Sequence, residues 1–222
     1  MQSLTALQSS LQRVYQLDLP LDVAHFVTTD EIRLAIGTDA GRSSAEETVY
    51  VSQDGEDLYI SVFLDAALLQ RVESACQSSS AAIGLHDICL VVEGVSHFML
   101  LTTRALQSRQ ATAFEMELQA EIDKFLVLTN LVSDGGGDGC METETHRRLF
   151  SAVTLRPDMS APLAQRYVDA SRFASRYCQR LRYLRSRNET GCRQLSEELY
   201  RFYRLPLPEK ISHIERSTAT CT

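Results

Sequence analysis

Two runs rich in valine, isoleucine, tyrosine and phenylalanine, Thr48 to Ser52 and Leu58 to Leu64, flank Gln53-Asp54-Gly55-Glu56, and no other stretch of the chain constrains the fold as tightly. Asp-Gly supplies the positive-φ positions of a tight turn, so the two runs read as a β-hairpin. Asp65 stands where it can cap a following helix whose Leu68, Leu69 and Val72 share a face, with Gln77-Ser78-Ser79-Ser80 ending it. A second hairpin is expected from Asp87 to Arg104, with strands Ile88 to Val92 and Ser96 to Thr103 turning at Glu93-Gly94. Periodicity leaves Phe98 to Leu101 open between strand and buried helix, because the apolar run is so short.

Around these hairpins the pattern is helical. Leu4, Leu7, Leu11, Val14 and Tyr15 recur at helical spacing, which predicts an amphipathic opening helix stopped by Pro20. A short helix is expected from Asp30 to Ile36, followed by a loop over Thr38 to Ser44. Thr112-Ala113-Phe114-Glu115 has the form of a capping box, so a long helix should start there. Its stripe of Phe114, Leu118, Ile122, Phe125 and Val132 would cover a four-stranded antiparallel sheet built from the two hairpins.

Ser133-Asp134-Gly135-Gly136-Gly137-Asp138-Gly139 reads as a flexible connector. The expected organisation is therefore an α+β core over residues 1–132, a glycine-rich linker over 133–140, and an all-helical, arginine-rich part over 141–222 that either docks on the core or forms a separate domain. Helices are expected around His146 to Val153, Ser160 to Arg187, Thr190 to Arg204 and Glu209 to Ile214. Leu205-Pro206-Leu207-Pro208 favours a polyproline II stretch or an ordinary helix stop.

Charge divides the chain unevenly. Residues 1–140 carry 7 basic and 20 acidic side chains against 15 and 9 in residues 141–222, so a net charge of −7 conceals parts of −13 and +6. Such asymmetry marks either a surface for an anionic partner or two parts that face each other. Only Lys124 and Lys210 are lysines, a bias that hints at a GC-rich, bacterial source. No basic region followed by an apolar stretch opens the chain, and the longest apolar runs fall far short of the roughly 18 residues a membrane span needs. The expectation is a cytoplasmic protein with no membrane contact. The six cysteines show no C-x-x-C spacing and read as thiols, with Cys89 and Cys178 in the core.

Tested for chemistry, each motif fails on residue type or context. The glycine run lacks the lysine of a phosphate-binding loop, and its aspartates lack the alternating ligands of a calcium loop. Gly94-Val95-Ser96-His97 starts like a nucleophile elbow but breaks at Phe98. Glu93 and His97 would meet across the second hairpin's turn as a carboxylate-imidazole pair, with Glu121 as a third member, and these are the weak catalytic candidates. Glu117 reads as part of a solvated acidic face. The histidines form no metal-ligand spacing, so neither a metal nor another cofactor is expected.

Between Arg166 and Arg187 lie seven arginines interleaved with Tyr167, Tyr177 and Tyr183. On a helix, Tyr167, Ala170, Ala174, Tyr177, Cys178, Leu181 and Leu184 form the buried stripe, and Arg172, Arg176 and Arg180 project together from another face. With Arg187 they are the candidate contacts to an anionic partner. The reading leans towards a non-catalytic interaction or regulatory protein, with a protein partner or self-association. Its alternatives are a nucleic-acid binder using the arginine-rich helix and a hydrolase with an unrecognised Glu/His site.

Overall fold

The computed structural model describes residues 1–28, 46–77, 83–129, 139–151 and 159–218. The expected helix at Asp30 to Ile36, the loop at Thr38 to Ser44, and the glycine run up to Asp138 lie outside these residues. Among the described residues the chain is mixed α and β. Its contacts divide it into two units, one of Met1–Ser9 with Asp18–Ala111, the other of Ser10–Leu17 with Thr112–Thr222.

The first unit holds the sheet. Strand β1 (Val27–Thr28) runs parallel to β3 (Asp57–Leu64), and β3 pairs antiparallel with β2 (Glu47–Asp54), giving the order β1-β3-β2. The hairpin forms, but Asp54 ends β2 opposite Asp57, so of the expected Asp54-Gly55 pair only Gly55 is at positive φ, +60°, in the turn. Helix α2 (Ala66–Gln77) follows, and Asp65 accepts hydrogen bonds from the Ala67 and Leu68 amides at its start.

The second hairpin is not there. Leu85–Leu106 is one continuous helix, α3, packed on β2 and β3, so among the described residues the sheet is three-stranded and mixed rather than four-stranded and antiparallel. Ser96 to Arg104 are all buried, without the alternation a strand would show. Gly94, expected in a turn, instead permits close helix-to-strand packing: a Cβ there would lie 3.1 Å from Val62 Cγ1 and 3.3 Å from Leu64 Cδ2. By joining the two short apolar runs, α3 becomes long and apolar enough to cross a membrane by length and composition, yet 61% of its apolar window is buried inside the protein. Phe26 and Phe98 meet with ring centroids 4.8 Å apart in this core.

The second unit is helical. Thr112 caps α4 (Ala113–Leu128) by accepting a hydrogen bond from the Glu115 amide, as the capping-box pattern requires. The helix packs chiefly on α6 (Ala161–Arg185), with Phe114 edge-on to Phe173, and so groups with the tail helices instead of covering the sheet. Helices α5 (Gly139–Phe150), α7 (Asn188–Arg204) and α8 (Leu207–Thr218) complete the unit. Helix α6 buries Ala170, Ala174, Tyr177, Cys178, Leu181 and Leu184, and burial pushes the Cys178 thiol pKa well up. No long polyproline stretch follows α7: Leu205 takes extended angles, α8 begins at Leu207, and Pro208 already sits in its first turn, where a missing N–H costs nothing.

The opening helix α1 (Gln2–Tyr15) ends at Gln16, in the left-handed region at φ 49°, before Pro20 is reached. Its residues divide between the units. In the first, Gln8 donates to the Leu21 carbonyl and accepts from the Val23 amide. In the second, Arg204 reaches the Tyr15 and Gln16 carbonyls at 2.8 Å each and satisfies the helix's C-terminal acceptors.

Candidate functional site

Among the described residues, Glu47, Glu93 and His97 form the one group of three carboxylate, thiol or imidazole side chains close enough to share an ion. Glu93 and His97 are one turn apart on α3, a spacing that aims both side chains to one side of the helix. They therefore do come together, though along a helix and not across a hairpin turn. Gly94 to His97 lie in a helix interior, without the strand-to-helix corner a nucleophile elbow needs.

Glu47 opens β2 and stands opposite Leu64, on the face of the hairpin that also carries Val62. That face is the one α3 covers, and the Cβ position at Gly94 is 3.4 Å from Glu47 Cγ. Close approach at Gly94 thus delivers Glu47 to the helix. The His97 Nδ1 and Glu47 Oε1 atoms are 3.5 Å apart, and both side chains are 8% exposed. Glu121, the suggested third member, belongs to the other unit and pairs with Lys124 at 2.8 Å.

A second polar cluster is enclosed in the helical unit. The Tyr15 hydroxyl donates to Asp123 Oδ1, while Gln119 Nε2 donates to both Tyr15 and Asp123 at 2.9 and 3.0 Å. Lys210 Nζ, fully buried, bonds Gln119 Oε1 at 3.2 Å, pairs with Glu115 at 3.2 Å, and lies 5.4 and 5.5 Å from the Phe202 and Tyr203 ring centroids. Burial, reinforced by the Asp123 charge, pushes the Tyr15 phenol pKa well up, so the phenol stays a donor. Glu117 is buried, not solvated, with Arg166 at 3.8 Å. Tyr15, Gln119, Asp123, Lys210 and Glu115 bond one another in a closed interior, the arrangement of a network that specifies packing.

The arginine row is largely spoken for. Arg180 Nε and Nη2 donate to the two Glu198 carboxylate oxygens, at 3.2 and 3.4 Å. Burial opposes ionisation of Glu198, but hydrogen bonds from His213 and Arg180 prevail and hold its carboxyl below the ordinary glutamate range. Arg185 pairs with Glu142 and Arg172 with Asp169. Arg187 lies 5.6 Å from the Tyr183 ring centroid, and Arg176 is exposed. Of the four candidate contacts, Arg172, Arg176 and Arg187 thus remain exposed. The salt dependence of binding to duplex DNA is expected to be shallow, with a log-log slope of about −3 or weaker, at roughly 0.9 per phosphate neutralised. Filter binding across a salt series checks it, and a slope of about −5 or steeper would return the tail to the nucleic-acid reading.

Neither Glu47 nor Lys210 was picked out as a site residue by sequence reasoning. Glu47 had a usable signal: counted back by twos from Val51 and Val49, it falls on the inward face of the strand. Lys210 precedes the buried Ile214 by one turn and so shares its stripe. No protein-family model, curated protein or solved structure matches this chain.

Proposed function

We propose that the protein is a non-catalytic interaction protein that receives an extended, basic segment of a partner protein along the outer edge of β2. The observation that carries this reading is the uncovered half of the β2–β3 ribbon. Cross-strand pairs Val51–Ile60 and Gln53–Leu58 continue the same face that α3 covers at Val62 and Leu64. There Val51 and Leu58 are 48% and 39% exposed, and Tyr59 on the opposite face is 59% exposed. Among the described residues β2 has no neighbour on its outer side. An unpaired strand edge is a template for strand addition, in which backbone hydrogen bonds supply affinity and alternate side chains supply selectivity.

The chemistry of the partner follows from charge. Asp54, Glu56 and Asp57 crowd the ribbon's tip, all exposed, and Glu46 stands at its base. An acidic segment would be repelled; a basic one carrying apolar residues at alternate positions gains both ion contacts at the tip and burial of Val51. The ion pairs of Arg180 and Arg185 make nucleic acid the weaker reading, and the burial of both polar clusters among the described residues counts against a hydrolase.

The test is a photo-crosslinking residue at Gln53, introduced in the full chain in its own cells, with a control at the exposed Leu106 of the same unit. The expected result is a crosslinked peptide from a partner that is net basic and alternates apolar residues, found at Gln53 and not at Leu106. Its yield should fall about tenfold with Val51→Lys, since burying a valine contributes roughly 1.5 kcal/mol or more. Equal crosslinking at both positions, or crosslinked peptides that are acidic, would overturn the reading.

A further inference from the structure

From Glu47, Glu93 and His97 we infer that the first unit binds one divalent first-row transition-metal ion between α3 and the start of β2. One donor atom from each of the three lies within 4.8 Å of the other two. The spacing of the His97–Glu47 pair decides between an ion pair and a shared ion. A charge-assisted hydrogen bond between imidazole and carboxylate closes to about 2.7–2.9 Å, whereas His97 Nδ1 and Glu47 Oε1 stand 3.5 Å apart. Two donors held about 2.1 Å from one tetrahedral ion are separated by about 3.4 Å, the edge of the tetrahedron. The observed separation is that of an edge.

The donor set and its mounting agree with this. Two carboxylates and an imidazole make three protein ligands, the number that leaves a tetrahedral ion one further position. Nitrogen in the set selects transition metals over calcium and magnesium, which take oxygen. Two ligands are fixed one turn apart on a helix and the third on a strand, and the strand is brought in by the close approach at Gly94. Holding ligands on packed regular elements is what gives a metal site its precision. The ion would also neutralise two carboxylates brought together where the Glu47 side chain is only 8% exposed.

The experiment uses the full chain, freed of metal by chelation, titrated with Zn²⁺ by calorimetry and with Co²⁺ by visible absorption. One equivalent should bind, the Co²⁺ bands should have the intensity of four- or five-coordinate sites, and the ion should raise the unfolding midpoint. Glu47→Gln, Glu93→Gln and His97→Gln should each weaken binding about a hundredfold, since loss of a supporting residue alone costs about 10–100-fold. His86→Asn, which removes the exposed histidine beside Glu46 at 3.3 Å, should leave it unchanged. Should a ligand variant fail to fold, the wild-type chain decides by NMR: Co²⁺ must shift and broaden the His97 ring signals more than those of His86. Absence of one-to-one binding, binding that survives all three ligand variants, or paramagnetic effects centred on His86 would overturn the site.

Discussion

Lys210→Met should destabilise the helical unit by about 3–5 kcal/mol, the cost of removing one partner from a buried ion pair. Lys210 is 0% exposed and Glu115 only 2%, so the methionine would leave a carboxylate with no access to water and Gln119 with its carbonyl acceptor unmet. The loss comes from the stranded charge rather than from the attraction forgone, and that makes the second variant informative. Lys210→Met with Glu115→Gln removes both charges and should recover a large part of the stability, because a matched pair replaced by neutral groups of similar volume is often tolerated. Urea unfolding followed by circular dichroism measures both against the wild type. Arg193→Ala supplies the contrast: its pair with Glu197 is 86% and 63% exposed, so the change should stay within about 0.5 kcal/mol. A Lys210→Met loss no larger than that of Arg193→Ala would mean that Glu115 finds solvent.

Phe98→Ala should cost about 3–5 kcal/mol and Met99→Ala about 2–5 kcal/mol, both by leaving cavities in the first unit. The two side chains are 0% and 1% exposed, and the Phe98 ring meets Phe26. The pair of variants reads the backbone directly. In a half-buried strand adjacent residues face opposite sides, so one of the two substitutions would be nearly silent. In α3, which is enclosed around most of its circumference here, neither can be. Unfolding midpoints of the two single variants against the wild type decide it, and a silent Met99→Ala would contradict the continuous helix.

That contrast shows where local pattern stops being informative. The β2–β3 hairpin was legible because Asp-Gly makes a demand of the backbone that only a tight turn meets, and Thr112-x-x-Glu115 was legible for the same reason. The stretch from Asp87 to Arg104 makes no such demand. Its apolar residues are spread around the helix because Ser96 to Arg104 are all buried, which blurs the 3.6-residue period. Gly94 then suggested a turn, although its role is to admit Val62, Leu64 and Glu47. Glu93 and His97 come together along a helix and not across a turn, since residues one turn apart on a helix and residues flanking a turn are alike in sequence. The fate of the arginines was least legible, because Glu142 and Glu198, which hold Arg185 and Arg180, are brought in by tertiary packing. Burial of Glu115, Glu117 and Asp123 on one helix is likewise a property of what surrounds it.

The division of α1 has a practical bearing on dissection of the chain. A cut between Ala111 and Thr112 would leave Ser10–Leu17 attached to the wrong piece, depriving Asp123 of the Tyr15 hydroxyl, Tyr203 of the ring stacked on it at 4.3 Å, and Arg204 of two carbonyls. A free-standing helical fragment therefore requires those eight residues to be grafted back, for example as a circular permutant or a supplied peptide. Complementation by that peptide would then become a way to switch the fragment's folding on and off.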